Sequence, residues 1–166
     1  VQPIIGCQFS VLRENKSEKS SNGNGHGNHQ GMLETDTVVV LVQNETGYQN
    51  LLRLMHVAYR DTETAQQPHV TFAELEEYNE GLILLSGGPE GPIGHLLANG
   101  QADHAQAVTE KLKEIFTDRF YIELQRHGLI VEDVVEPGLL KLAYDFDIPL
   151  VATNEVFFST RDMYEA

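Results

Sequence analysis

The run Gly81-Leu82-Ile83-Leu84-Leu85-Ser86, followed at once by Gly87-Gly88-Pro89-Glu90-Gly91, carries the decision about the fold. An unbroken aliphatic run of this length, with no polar residue alternating into it, is what a strand buried on both faces requires. The turn rich in Gly and Pro from Gly87 to Gly94 stops that strand and leads into a short helix around His95-Leu96-Leu97. Strand, turn and helix in this order make half of a βαβ unit.

Working toward the N-terminus, Thr71 and Glu74 form a capping box ahead of Leu75 and Tyr78, which predicts a short helix. Thr46 with Gln49 offers a second capping box, for a helix carrying Leu51, Leu52, Met55, Ala58 and Tyr59 at helical spacing. His56 on that helix reads as a partly buried side chain. Thr37 to Val42 is a continuous β-branched run and predicts another buried strand, and Pro3 to Leu12 is a mostly apolar stretch of strand length.

Working toward the C-terminus, Asp103 can cap a helix whose inner face holds Ala105, Val108, Leu112, Ile115 and Phe116. Phe120 to Gln125 alternates as a strand. Val135, Leu139, Leu142 and Phe146 suit a further helix that Pro137-Gly138 must kink or restart, and Ile148 to Ala152 is the last strand. Strands alternating with helices, through connections too long for hairpins, predict parallel βαβ units with right-handed crossovers.

The chain has 166 residues, one ordinary domain, and 41% of them are hydrophobic, enough for a real core. With 11 Lys+Arg against 25 Asp+Glu the net charge is −14. Such a surface repels phosphate backbones, and only Lys111, Lys113 and Arg119 approach a basic cluster, so direct binding of nucleic acid is disfavoured. No apolar run approaches the roughly 18 residues that span a bilayer, so no membrane association is expected. Cys7 is the lone cysteine, which fits a reducing, cytoplasmic compartment. At about 13–32 the composition shifts to Asn, Ser, Gly, Lys and Glu, and a flexible surface insertion is expected there. Val1 in place of a Met, and a helix predicted to begin at Arg161 to Ala166, suggest an excerpt from a longer chain.

In parallel α/β folds functional groups gather where strands end. Those ends hold Cys7-Gln8, Asn44, Ser86-Gly87-Gly88, Gln125 with His127, and Thr153-Asn154-Glu155. Ser86 lacks the Gly two residues earlier that a nucleophile elbow needs, since Leu84 stands there. The turn after it has no Lys and carries Glu90 where an anion would approach, so a plain tight turn is expected rather than a phosphate cradle. His26 and His29 have helical ligand spacing but sit among Asn and Gly with no helix to fix them. His127 follows a strand and precedes Gly128, where a ligand can project into the rim, and Glu155 is the carboxylate at these strand ends that could join it.

Five segments taken together, Pro3 to Gln8, Asn44 to Leu51, Gly81 to Gly87, Phe120 to Gly128 and Ile148 to Val156, resemble the PHP (polymerase and histidinol phosphatase) domain of bacterial DNA polymerase III alpha subunits. The resemblance implies a distorted β/α, TIM-like barrel, incomplete at both ends, with residues 1–166 as a partial PHP domain. Family members that retain activity hold a metal cluster at the barrel rim, as metal-dependent phosphoesterases do, and can remove nucleotides from a 3′ end. By that resemblance the family's Glu after Gly-Cys is here Gln8, and its Cys or His after Ser-Gly is Gly88. The rim histidine is kept as His127, whereas the final Asp-x-His becomes Glu155 and Phe157. The opening His-x-His would lie before residue 1.

Gln8, Gly88 and Phe157 each remove a donor, so the resemblance implies a segment with no catalytic residue and no metal or other cofactor of its own. Its expected role is structural: a docking base for a proofreading exonuclease subunit and other holoenzyme subunits, with DNA reached only through other domains. The parent chain would be a DNA-directed DNA polymerase, a nucleotidyltransferase of DNA replication, with Mg²⁺ in a palm domain beyond Ala166. Two competing expectations remain: an active metal-dependent phosphoesterase or 3′–5′ exonuclease using His127 and Glu155 with ligands upstream of residue 1, and an unrelated α/β domain binding a phosphorylated small molecule at Ser86 to Gly94.

Overall fold

The computed structural model describes residues 3–13, 34–60, 62 and 66–154. Its elements in chain order are β1 (Gly6–Leu12), β2 (Thr35–Val42), α1 (Glu45–Arg60), α2 (Phe72–Glu77), β3 (Leu82–Leu85), α3 (Pro92–Ala98), α4 (Ala102–Phe116), β4 (Phe120–Leu124), α5 (Ile130–Asp145) and β5 (Leu150–Ala152). The strands form one sheet in the order β1-β2-β3-β4-β5. Among the described residues β1 and β5 are its two edges, so the sheet is not closed, and of the expected TIM-like barrel, incomplete at both ends, only a mixed α/β sheet with helices is seen. None of the described helices is long and apolar enough to cross a membrane.

Among the described strands β3 pairs with β4 and β4 with β5 in parallel, and Val70 makes an isolated parallel bridge to Val11 of β1. β2 runs antiparallel to both β1 and β3, which corrects the expectation of parallel units throughout. The cause is a two-legged excursion after β2. α1 carries the chain away from Asn44, and at the far end Val70 docks on β1, donating its N–H to Ser10 O at 2.9 Å and accepting from Leu12 N–H at 2.8 Å. The second leg, through α2, returns the chain to where β2 finished, and Gln43 N–H meets Gly81 O at 2.9 Å. β3 must therefore start beside the end of β2 and run against it.

Alternate residues along each strand face opposite sides of the sheet. Phe9 and Val11, Val38 and Val40, Leu82 and Leu84, and Phe120 and Ile122 are buried in one core with helix residues that include Leu54, Leu75, Leu112, Phe116 and Leu139. Each such side chain contributes about 1.5–3 kcal/mol of burial. The other parity holds Gln8, Val39, Leu85 and Glu123, which together line a cavity described below.

The capping box of Thr71 and Glu74 forms as read, with Glu74 N–H on Thr71 Oγ1 at 3.3 Å and Thr71 N–H on Glu74 Oε2 at 2.6 Å. At α1 the cap is Asn44 instead of Thr46: its Oδ1 accepts from Gly47 N–H at 3.0 Å, and the helix starts one residue before Thr46. That phase buries Leu51, Leu54, Val57 and Ala58 and leaves Leu52, Met55, His56 and Tyr59 outside, so His56 is exposed where partial burial was expected. α4 begins with Gln101 as its cap residue and Asp103 inside its first turn. α5 passes through Pro137 unbroken; Pro137 is exposed, while Val135, Leu139 and Leu142 on the inner face hold the helix down. The expected insertion, His26 and His29 lie outside the described residues, except that Arg13 is described and pairs with Glu34 and Asp36.

Candidate functional site

Because β3, β4 and β5 are parallel, their carboxyl ends share one edge of the sheet. Gln8 joins them from within β1, not from its end, through the row Gln8, Val39 and Leu85 across the antiparallel pairs. These groups enclose a cavity of about 280 Å³ bordered by Gln8, Gly87, Glu90, Glu123, Gln125 and Asn154, among others. Asn44 is at the opposite end of the sheet, as the end of an antiparallel strand must be. His127 does not line the cavity.

Glu123 organises this rim. It is 3% exposed. Its N–H donates to Ser86 Oγ at 2.9 Å, and its Oε2 accepts the Gly87 N–H at 3.0 Å. Its Oε1 accepts from Gln125 Nε2 at 3.4 Å and from the Thr153 hydroxyl. One carboxylate thus ties the turn after β3, the end of β4 and the residue after β5. Sequence reading placed Glu155 alone at this rim and missed Glu123. The signal was present in the alternation of β4, where Tyr121, Glu123 and Gln125 share the parity opposite to Phe120, Ile122 and Leu124.

The same bonds answer two earlier possibilities. Ser86 is fully buried and its Oγ is an acceptor for β4, so it does not face a substrate. The first N–H of the glycine turn points at Glu123, which removes it from any phosphate cradle. Gly88 has φ 56°, in the left-handed region, and a Cβ built there would lie 3.0 Å from the Gln125 carboxamide. Gln125 fills the space that a side chain at 88 would need.

His127 is drawn away from the cavity toward the start of α5. Its Nδ1 lies 2.8 Å from Glu132 Oε1, and Glu132 Oε2 accepts the N–H groups of His127, Gly128 and Leu129 at 2.8, 2.9 and 2.9 Å. Burial works to raise the Glu132 carboxyl, but the three backbone donors and the imidazole outweigh it and hold the group down to about 2. Arg126 next to it pairs with Glu136 at 2.6 Å.

A zinc-type site takes three or four His, Cys or carboxylate donors around one point. At this rim Gln8 offers a neutral amide, Gly88 offers nothing, and both oxygens of Glu123 already accept hydrogen bonds. Among the described residues no group of three or more His, Cys, Asp or Glu side chains is arranged to hold a metal ion. Glu155 and Phe157 lie outside the described residues.

A family model described as "PHP domain" matches residues 1–127. The DNA polymerase III subunit alpha of Caulobacter vibrioides is 45% identical over 166 residues, which is 100% of this chain and 14% of that protein. The subunit alpha of Rickettsia bellii is 40% identical over 129 residues, 78% of this chain and 11% of its own length. The subunit alpha of Vibrio cholerae is 35% identical over 166 residues, 13% of its length. The chain spans no more than 14% of any of these three relatives.

Proposed function

This chain belongs to the PHP domain family, and on that premise we propose that it is a non-catalytic structural and partner-docking module of a replicative DNA polymerase alpha subunit. The observation that carries this reading is the engagement of Glu123. The buried carboxylate of the cavity serves Gly87, Gln125 and Thr153, so it works as a staple between three loops where an active relative would need metal donors. Gln8 and Gly88 complete the argument by supplying no charge. The relatives' names supply the polymerase context.

In this reading the cytoplasmic parent chain copies DNA with a palm domain that binds Mg²⁺ outside these residues, and DNA is met there. The PHP module gives a rigid base for holoenzyme subunits, the proofreading exonuclease subunit among them. The test is metal analysis of the purified full-length parent. No stoichiometric Zn, Mn or Fe in the PHP domain and no PHP-dependent 3′ exonuclease activity are expected. About one tightly bound ion per chain, lost in His127→Ala, would overturn this reading in favour of a metal site.

A further inference from the structure

At the end of the sheet opposite the rim, the last turns of α4 and α5 and the start of β5 border an open groove. Its floor is apolar: Ile148 is buried, Phe146 packs against the core, Leu150 is 38% exposed and Tyr144 stands at the lip, 78% exposed. Its walls are acidic. Glu110, Glu114 and Asp118 rise from the α4 side and Asp147 from the α5 side, all of them exposed. Lys113 is the one cation among the described residues lining the groove, and its Nζ donates to the Phe146 carbonyl. Arg119, just past α4, is turned to the carbonyls of Asn79 and Leu82 at 2.5 and 2.6 Å.

We propose that this groove docks a segment of a partner protein that carries Lys or Arg side chains around an apolar anchor residue. The charge on the walls selects the occupant. A nucleic acid or an anionic lipid surface would be repelled by four carboxylates, and a second copy of this chain, itself at −14, would bring more of the same sign. A basic segment gains both ways, because its cations meet the exposed wall carboxylates, none of which is held by the Lys113 ammonium, while its apolar residue covers Leu150 and Tyr144. The inference rests on the docking-module reading and adds to it the place and the chemistry of the partner.

The test uses the full-length polymerase chain and, as probe, the purified proofreading exonuclease subunit of the same organism. Carbodiimide activation joins a carboxylate to a lysine amine held against it, forming an amide while the carbodiimide takes up the water as a urea. Cross-links from Glu110, Glu114 or Asp118 to lysines of the probe are expected. Glu114→Lys with Asp118→Lys should weaken binding by about tenfold or more at ~0.1 M salt. An equal charge reversal at the other ends of the same helices, Asp103→Lys with Asp133→Lys, should leave affinity within about threefold, and thermal melts show that both variants fold. Undiminished binding by the groove variant, or cross-links from the groove only to the same chain or to a second copy, overturns the groove assignment and leaves the docking module standing. Failure of the unmodified chain to bind the probe overturns the docking module itself, and the groove with it.

Discussion

Glu132 grips His127 at two points, with Oε2 on its backbone N–H at 2.8 Å and Oε1 on its imidazole Nδ1 at 2.8 Å. The same carboxylate takes the N–H groups of Gly128 and Leu129, so three consecutive backbone donors leading into α5 converge on one side chain. The rim histidine is thereby part of a helix cap.

Stability should therefore depend on pH through Glu132. Its carboxyl is held at about 2 in the folded chain, below the roughly 4.3 of an unfolded glutamate. The unfolded state binds more protons between those values, so the contribution is complete above about pH 5 and is lost as pH falls toward about 2. Glu132→Gln should lower the urea midpoint at neutral pH, and the gap to the parent should close as pH drops through that window. A constant gap from pH 7 to 2 would contradict this account.

Removing the Glu123 carboxylate should destabilise the rim. Glu123→Ala leaves the buried Gly87 N–H and the Thr153 hydroxyl without their acceptor, at a cost of about 1–3 kcal/mol for an orphaned buried polar group. Denaturant titration measures the total, and faster hydrogen exchange at the Gly87 amide locates it. Glu123→Gln, which keeps an acceptor, should cost less.

At Gly94 two opposing effects can be weighed. Alanine is the better helix former by about 1 kcal/mol, yet a Cβ at this position would lie 2.1 Å from the Gly88 carbonyl oxygen, a backbone atom that cannot swing aside. Overpacking of about 1–3 kcal/mol should win. Gly94→Ala is expected to lower stability, and a rise in melting temperature would show that the turn yields.

Restoring a side chain at Gly88 should be costly for a reason specific to this rim. Gly88→Cys places an L-residue at φ 56°, worth about 1–2 kcal/mol, and drives its Cβ against Gln125. The second part should be relieved by Gln125→Ala. A double-mutant cycle between positions 88 and 125 is expected to show coupling of about 0.5 kcal/mol or more, whereas additive effects would mean that Gln125 does not occupy that space.

Local pattern was enough for much of this protein. The aliphatic run Leu82–Leu85, the alternation of Phe120–Leu124 and the Thr71–Glu74 box each act over a few residues, so their elements were legible where they stand. The family was legible too, because its motifs are short and ordered. Strand direction was not: whether β3 runs with or against β2 depends on the return leg through Val70 and Gly81, a contact between distant parts of the chain. Nor was Glu123's role, since its partners Gly87 and Thr153 are brought to it only when β3, β4 and β5 pair side by side. The acidic groove likewise exists only because the ends of α4 and α5 come together at the start of β5. Periodicity reports which face of an element is apolar, whereas what that face meets is set by long-range pairing, and it is there that charge and hydrogen bonds become sites.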